Sequence, residues 1–349
     1  MKKYIVRTGE GAEFNAASKA RRDADAIAQR LGYEPFQFRG ARTADGSLMG
    51  AVRLALDGLR NWRRLIREAE PGSLVLIQYP HYPMKSAFLA RWMLPLARRR
   101  GLRFIALVHD LDGLRGLHGS AAVYSDRQLL PKFDAVICHN QRMAKYLKEQ
   151  RMPSDKLVPL GIFDYLTDAE GMPHRLLDGV AVAGNLSPEK CGYVGELVRK
   201  PLALHLYGKG LEAGDLPENV RLHGAFPPEI LPGELTGGFG LVWDGPSADT
   251  CAGPSGEYLR YNDPHKFSLY MAAGLPVAIW SHAALADFTR ENGVGIVIDN
   301  LDDLGNALDG LSGEQYEGLC RNAAKIGNEV RDGAYLTRAL SQAEALLRS

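Results

Sequence analysis

The sequence has few cysteines, no long apolar run and almost no net charge. No apolar stretch approaches the 18 residues of a membrane-spanning helix, and charge interrupts the first residues too early for a signal peptide. The four cysteines form neither a Cys-x-x-Cys pair nor a Cys/His ligand spacing, which disfavours structural zinc and a disulfide framework. A net charge of +1 gives no reason to expect nucleic acid as a partner. We therefore expect a cytoplasmic protein.

The order of apolar and amphipathic segments indicates the fold class. At 349 residues the chain exceeds the usual size of one hydrophobic core. Short apolar runs alternate with helix-length amphipathic segments throughout, which is the pattern of parallel sheets covered by helices. We predict an α/β protein with Rossmann-like domains at residues 1–160 and 179–333. The segment 161–178 lacks a clean period and is predicted to be the linker.

Glycine and polar residues follow several apolar runs of the second half. Gly184 and Asn185 end one run, Tyr207 and Lys209 lie at the end of the next, and Asp244 follows a third. Open α/β sheets bind ligands beyond the carboxyl ends of their strands, so these residues are candidates for a binding site. The alternative is a set of ordinary turns, because neither a GxGxxG fingerprint nor a P-loop is present.

The stretch 256–280, GEYLRYNDPHKFSLYMAAGLPVAIW, has the most specific pattern. Asp263 is a suitable N-cap and Pro264 suits the first helical position. Gly274 is expected to end this helix, and residues 277–280 to form a buried strand. We therefore predict a helix that begins at Pro264.

Lys266 lies near the start of the predicted helix, where the positive end of the helix dipole disfavours a cation. A bound diphosphate would offset this unfavourable interaction between the ammonium and the helix dipole, because backbone N–H groups and the ammonium would both contact its oxygens. The alternative is a surface lysine that extends into water.

In the first half, His109 and Asp110 follow the most apolar run. A carboxylate or imidazole at a strand's carboxyl end can accept a proton from a reacting hydroxyl, and we place Asp110 before His109 for this role. A structural histidine beside a turn aspartate is the alternative. Gly11, Asn15 and Arg115 are candidates for the side that admits an acceptor.

Two stretches, 60–67 and 98–103, are locally basic and lie near Trp62 and Trp92. One interpretation is a solvated helix face with a buried tryptophan. The other is docking to an anionic membrane surface or a lipid-linked acceptor, at the inner face of the membrane.

Together these residues resemble the bacterial glycosyltransferases of the GT-B architecture, in which two Rossmann-like domains face a central cleft. The likeness is to galactofuranosyltransferase-like proteins and to glucosyltransferases that extend O-linked GlcNAc on adhesins. It rests on HDLDGLR at 109–115, AGNLS at 183–187 and the block at 256–280. The resemblance also implies that a C-terminal helix at 334–349 packs back on the first domain.

The resemblance implies transfer of glucose, galactose or galactofuranose from a UDP-sugar to a saccharide hydroxyl on a glycoprotein or lipid-linked glycan. It places Asn262 and Lys266 at the diphosphate and Asn185 and Tyr207 near the nucleotide. The full set of expected donor-binding residues is Gly184, Asn185, Tyr207, Lys209, Asp244, Asn262, Asp263, His265 and Lys266. The UDP-sugar is a co-substrate, and no cofactor is expected.

The sequence departs from retaining members of this architecture, because Glu257 has no second glutamate at the E-x7-E distance. This favours inversion with a true base. Asp110 and Asp112 form a D-L-D, but GT-B sites generally stabilise the leaving group with a helix dipole and basic residues instead of a metal. The resemblance therefore implies a metal-independent hexosyltransferase. The alternatives are a sugar-nucleotide epimerase and a non-catalytic nucleotide-sugar-binding subunit, and a homo-oligomer stays open.

Overall fold

A computed structural model describes residues 1–8, 16–39, 48–80, 87–115, 126–212 and 216–348. The chain divides into two compact units. Unit 1 comprises residues 1–13, 24–160 and 336–349, and unit 2 comprises residues 14–23 and 161–335. The segment 161–178, predicted as a linker, is part of unit 2, and it has no helix or strand before a 3-10 turn at Leu176–Asp178.

Unit 1 contains a sheet of six parallel strands in the order β2-β1-β3-β4-β5-β6. The strands are β1 (Lys3–Thr8), β2 (Glu34–Phe38), β3 (Leu74–Tyr79), β4 (Arg103–Val108), β5 (Ala135–Cys138) and β6 (Leu157–Pro159). Its helices are α1 (Ala16–Arg30, shared with unit 2), α2 (Leu48–Glu68), α3 (Ala87–Arg99) and α4 (Gln141–Glu149). Every residue of β3 is buried, as expected for a parallel strand covered on both faces.

Unit 2 contains a second sheet of six parallel strands, in the order β12-β11-β10-β7-β8-β9. The strands are β7 (Val180–Asn185), β8 (Leu204–Lys209), β9 (Val220–Gly224), β10 (Phe239–Val242), β11 (Val277–Trp280) and β12 (Gly295–Ile298). The helices are α5 (Pro188–Cys191), α6 (Val194–Leu197), α7 (Leu231–Glu234), α8 (Gly253–Tyr258), α9 (His265–Ala272), α10 (Ala286–Asn292), α11 (Asp303–Asp309) and α12 (Gly313–Asp332). The last helix, α13 (Ala334–Leu346), belongs to unit 1 from Leu336 onwards.

The strand orders confirm the predicted α/β fold with two Rossmann-like sheets. In each sheet the chain reverses its direction of growth once, between β1 and β3 in unit 1 and between β7 and β10 in unit 2. Open parallel sheets bind ligands at the carboxyl ends of the strands beside such a reversal. The topology therefore selects one candidate position in each unit.

The two basic stretches differ in the position of their tryptophans. Trp62 is fully buried and packs on Phe104, with ring centroids 5.9 Å apart. Trp92 is 59% exposed. The interpretation as a helix face with a buried tryptophan therefore holds for the first stretch and is wrong for the second. In the part of the chain that is described, no helix combines the length and apolarity needed to cross a bilayer.

Candidate active site

The start of helix α9 lies one residue later than predicted. Pro264 occupies the N-cap position with an extended ψ of 131°, and its side chain makes no capping hydrogen bond. Its carbonyl accepts the first bond of the turn, from the amide of Phe267 at 2.8 Å. Asp263 is buried and is not the cap, because the extended Pro264 separates it from the first turn. Lys266 is therefore the second residue of the helix.

The end of α9 follows the prediction. Gly274 has a φ of 70°, in the left-handed region that closes a helix, and its amide bonds to the carbonyl of Met271 at 2.8 Å. The strand predicted at residues 277–280 is β11. Gly274 thus marks the end of the helix, and Pro276 marks the start of the strand.

Asp244 supplies the negative charge that Lys266 requires in the structure. The Lys266 ammonium donates to Asp244 Oδ1 at 2.8 Å and to the carbonyl oxygen of Trp243 at 3.1 Å. Both side chains are buried, with 9% of Lys266 and 6% of Asp244 exposed. Lys190 Nζ lies 3.9 Å from the other oxygen of Asp244. One carboxylate thus lies between two ammonium groups at the carboxyl end of β10.

The protonation of Lys266 depends on this pair. Burial lowers the pKa of the ammonium, but Asp244, together with smaller contributions from Cys191 and Tyr270, raises it, and the net pKa lies above the usual value for lysine. Lys266 is therefore a permanent cation at a helix start beside the β7/β10 reversal.

Tyr270 fixes α9 against the sheet. Its hydroxyl accepts from the amide of Ala183 at 2.9 Å and lies 3.2 Å from the carbonyl oxygen of Ala181 and 3.3 Å from that of Leu241. A Cβ on Gly240 would lie 2.2 Å from the Tyr270 ring, so only glycine leaves room for this side chain. Burial raises the pKa of Tyr270 to about 12.

The ends of β7 and β8 combine close packing with open space. A Cβ on Gly208 would lie 1.8 Å from the carbonyl oxygen of Gly184, whereas a Cβ on Gly184 would meet nothing within 4 Å. Gly184, Asn185 and Lys209 are exposed. Asn185 Oδ1 accepts from the amide of Ser187 at 3.0 Å. The backbone of Gly184 is thus open to a ligand at the reversal point.

Tyr207 packs within unit 2. Its ring is buried and stacks on His223, with centroids 4.4 Å apart. Its hydroxyl donates to the carbonyl of Glu234 and accepts from the amide of Thr236, at 3.0 and 2.8 Å. The structure thus gives Tyr207 a packing role beneath the sheet end, which leaves its contact with a nucleotide a prediction.

Near the start of α9, Asn262 Oδ1 and His265 Nε2 are among the buried polar atoms that have no hydrogen-bond partner among the described residues. The His265 ring stacks on Tyr165, with centroids 4.9 Å apart. Burial, together with the nearby Lys19, lowers the pKa of His265 to about 3. Its imidazole is therefore neutral, and both side chains can take a polar ligand.

In unit 1, the candidates after β4 are individually engaged. His109 is buried, and its Nε2 lies 2.7 Å from Gln78 Oε1. Asp110 accepts from the Arg115 guanidinium at 2.9 Å. Gly11 and Asn15 lie outside the described residues. The described part of the chain contains no group of three or more histidine, cysteine or acidic side chains arranged to hold a metal ion.

Solved structures with the same fold are GT-B glycosyltransferases. The structure of Anabaena Alr3699/HepE in complex with UDP has a TM-score of 0.66 and 13% identity, and the match covers 99% of this chain and 100% of that one. The pneumococcal O-GlcNAc transferase GtfA in complex with UDP and GlcNAc has a TM-score of 0.54 and 13% identity, over 84% and 60% of the two chains. These matches show that the chain has the GT-B fold.

The family follows from the sequence. Residues 2–162 match the N-terminal domain and residues 180–343 the C-terminal domain of the glucosyltransferase 3-like family, and the chain belongs to this family. It is 36% identical over 269 residues to beta-1,6-galactofuranosyltransferase WbbI of Escherichia coli strain K12, covering 75% of this chain and 77% of that protein. It is 25% identical over 339 residues to glucosyltransferase 3 of Streptococcus gordonii, covering 93% and 92%. The expected resemblance and the glycosyltransferase class are confirmed.

Proposed function

We propose that the protein transfers a hexose from a UDP-sugar to a hydroxyl of a saccharide acceptor, with glucose, galactose or galactofuranose as the donated sugar. The observation that carries the proposal is the buried Lys266 ammonium at the start of α9, beside the β7/β10 reversal. The names of the relatives, a galactofuranosyltransferase and a glucosyltransferase, support a hexose. The UDP in two structures of the same fold supports the nucleotide.

The diphosphate is proposed to bind at the start of α9. Backbone amides at a helix start and a lysine ammonium favour an anion at the same position. Asn262 Oδ1 and His265 Nε2 lack a partner among the described residues. An amide oxygen can only accept, so Asn262 Oδ1 suits a hydroxyl of the UDP-sugar and not a phosphate oxygen. Gly184 lets the backbone approach the ligand. Lys190 adds a second ammonium 3.9 Å from Asp244. Negative charge grows on the UDP oxygen as the glycosidic bond breaks, so Lys266 would stabilise the departing diphosphate.

The same positive charge explains the proposed metal independence. A divalent cation or an ammonium beside a helix start can stabilise the negative charge of a leaving diphosphate. In this chain the Lys266 ammonium lies at such a helix start. We expect transfer to continue in EDTA at its uninhibited rate. An absolute requirement for added Mg²⁺ or Mn²⁺ would refute this part of the proposal.

The acceptor is proposed to be a glycan on a glycoprotein or a lipid carrier, reached from unit 1. Helices α2 and α3 lie against each other and expose both apolar and basic side chains. The exposed apolar residues are Met49, Val52, Leu56, Trp92 and Leu96, and the nearby exposed arginines include Arg53, Arg60 and Arg63. Apolar side chains interleaved with arginine suit an anionic membrane surface, so this face is proposed to meet the inner face of the membrane.

The direct test is a UDP-release assay with UDP-glucose, UDP-galactose and UDP-galactofuranose, each with and without saccharide acceptors. Transfer predicts a product that contains the donor hexose and release that depends on the acceptor. Conversion of the intact UDP-sugar without acceptor would instead indicate an epimerase. Nucleotide binding without release would indicate a non-catalytic subunit.

A further inference from the structure

Polar contacts link four side chains at the strand reversal of unit 1, in the order Arg7, Asp25, Gln78 and His109. Arg7 lies near the end of β1, Gln78 near the end of β3 and His109 directly after β4, and these three strands are neighbours in the sheet. Asp25 of helix α1 joins them. Gln78 and His109 are buried, with 4% and 8% exposed. This polar chain, of which Gln78 and His109 are buried, lies where open α/β sheets bind ligands.

The hydrogen bonds of this chain have a defined direction. Gln78 Nε2 lies 2.8 Å from Asp25 Oδ1, and a carboxylate can only accept, so the amide nitrogen of Gln78 must face Asp25. The amide oxygen then faces His109, whose Nε2 lies 2.7 Å away. An amide oxygen can only accept, so Nε2 of His109 carries a proton. In the neutral ring, the basic nitrogen is therefore Nδ1.

Further contacts hold both ends of this chain. Arg7 Nε lies 3.0 Å from the second oxygen of Asp25 and forms an ion pair with this carboxylate. The backbone amide of His109 bonds to the carbonyl of Tyr79 at 2.7 Å, and the ring of His139 donates to the carbonyl of His109 at 3.1 Å. Burial lowers the pKa of His139 to about 4, so this supporting ring is neutral.

We propose that Asp25 and Gln78 are positioning residues that fix the Nε2–H tautomer of His109, and that His109 Nδ1 is the proton acceptor of the transfer reaction. This inference rests on the proposed function. The acceptor hydroxyl gives its proton to Nδ1 while its oxygen bonds to the anomeric carbon. The bond from that carbon to the β-phosphate oxygen breaks, and its electron pair leaves with UDP. The neutral histidine becomes an imidazolium.

This assignment reverses the order in which the sequence analysis placed His109 and Asp110. The Asp110 carboxylate is engaged by the Arg115 guanidinium at 2.9 Å, in a pair that is partly exposed. His109 instead has the buried Gln78 amide and the partly exposed Asp25 carboxylate arranged behind it, in the way that orienting groups support a general base. The geometry thus favours the imidazole as the base and Asp110 as part of the acceptor-side surface.

The test combines kinetics with a spectroscopic readout. Gln78→Met keeps the volume of the side chain but removes the acceptor, and Asp25→Asn lets the Gln78 amide rotate. We expect kcat to fall about 10- to 100-fold in both variants with the KM for donor unchanged, because only proton transfer is affected. Imidazole ¹⁵N spectra, with His109 assigned by a His109→Gln variant, should show the Nε2–H tautomer in the wild type and a mixture in Asp25→Asn.

Tyr33→Phe is the matched control. It removes a buried hydrogen bond of 3.0 Å to Glu344 in the same unit and should leave kcat unchanged. Wild-type kcat in both Gln78→Met and Asp25→Asn would overturn the inference, as would an Nδ1–H tautomer in the wild type. So would full activity of His109→Gln together with loss of activity in Asp110→Asn. Failure of the proposed function would be distinct, because the wild type itself would then transfer no hexose.

Discussion

Replacing the buried pair of Lys266 and Asp244, singly and together, separates its structural role from its chemical one. Removing one partner leaves a buried charge without compensation, which costs about 3–5 kcal/mol. For a unit of this size each kcal/mol shifts Tm by about 2–4 °C, so Lys266→Met should lower Tm by roughly 6–20 °C. Asp244→Asn should be less severe, because the amide still accepts a hydrogen bond from the ammonium.

The double variant Lys266→Met/Asp244→Asn removes both charges at similar volume. Replacing a whole buried pair is often close to neutral for stability, so its Tm should return towards that of the wild type. Its kcat should still be low. Loss of a charge-assisted contact to the leaving diphosphate costs about 2–3 kcal/mol, or about 30- to 150-fold in rate.

The assays are thermal unfolding, binding of UDP and initial rates of hexose transfer, all on the same preparations. A double variant with wild-type stability and wild-type kcat would refute the reasoning, because Lys266 would then serve only to neutralise Asp244. A double variant that is stable but slow supports the account. The Asp244→Asn variant, which keeps the ammonium, should retain more activity than the double variant.

Three further outcomes are expected. His265 has a pKa of about 3 in the folded state against about 6.5 in the unfolded chain. The free energy of unfolding should therefore fall by up to about 1.4 kcal/mol per pH unit as the pH drops from 6.5 towards 3. His265→Phe should flatten this slope in pH-dependent denaturation curves, and an unchanged slope would contradict the assignment. Gly240→Ala should lower the free energy of unfolding by at least about 1–3 kcal/mol through overpacking. Gly195→Ala is the control, because its added Cβ meets nothing within 4 Å, and in urea unfolding it should lower this free energy much less. Trp92→Ala should weaken co-sedimentation of the protein with vesicles that contain anionic lipid. Leu177→Ala, which removes another exposed apolar side chain, should leave this binding unchanged. Equal binding of both variants would exclude the proposed membrane face.

Local patterns predicted the parts of the site that depend on neighbours in the chain. Gly274 and the strand at 277–280 were placed correctly, because glycine in the left-handed region and the following proline leave few alternatives. The start of α9 was displaced by one residue, because Pro264 suits both the N-cap and the first helical position. Whether Pro264 is the N-cap or the first helical residue depends on its ψ angle, which the amino-acid sequence around it does not determine.

The contacts between distant residues were not predictable in the same way. Asp244 and Lys266 are 22 positions apart, and their pairing requires that β10 and α9 be neighbours. Gln78 is 53 positions from Asp25 and 31 from His109. The only signal for Gln78 was its position at the end of an apolar run, which identifies a strand end and not its partners.

The most direct test of the central claim is a crystal structure of the protein with UDP. We expect the diphosphate at the start of α9, with phosphate oxygens about 3 Å from Lys266 Nζ or from the first amides of the helix. A nucleotide bound elsewhere in unit 2, with this helix start facing solvent, would contradict the account.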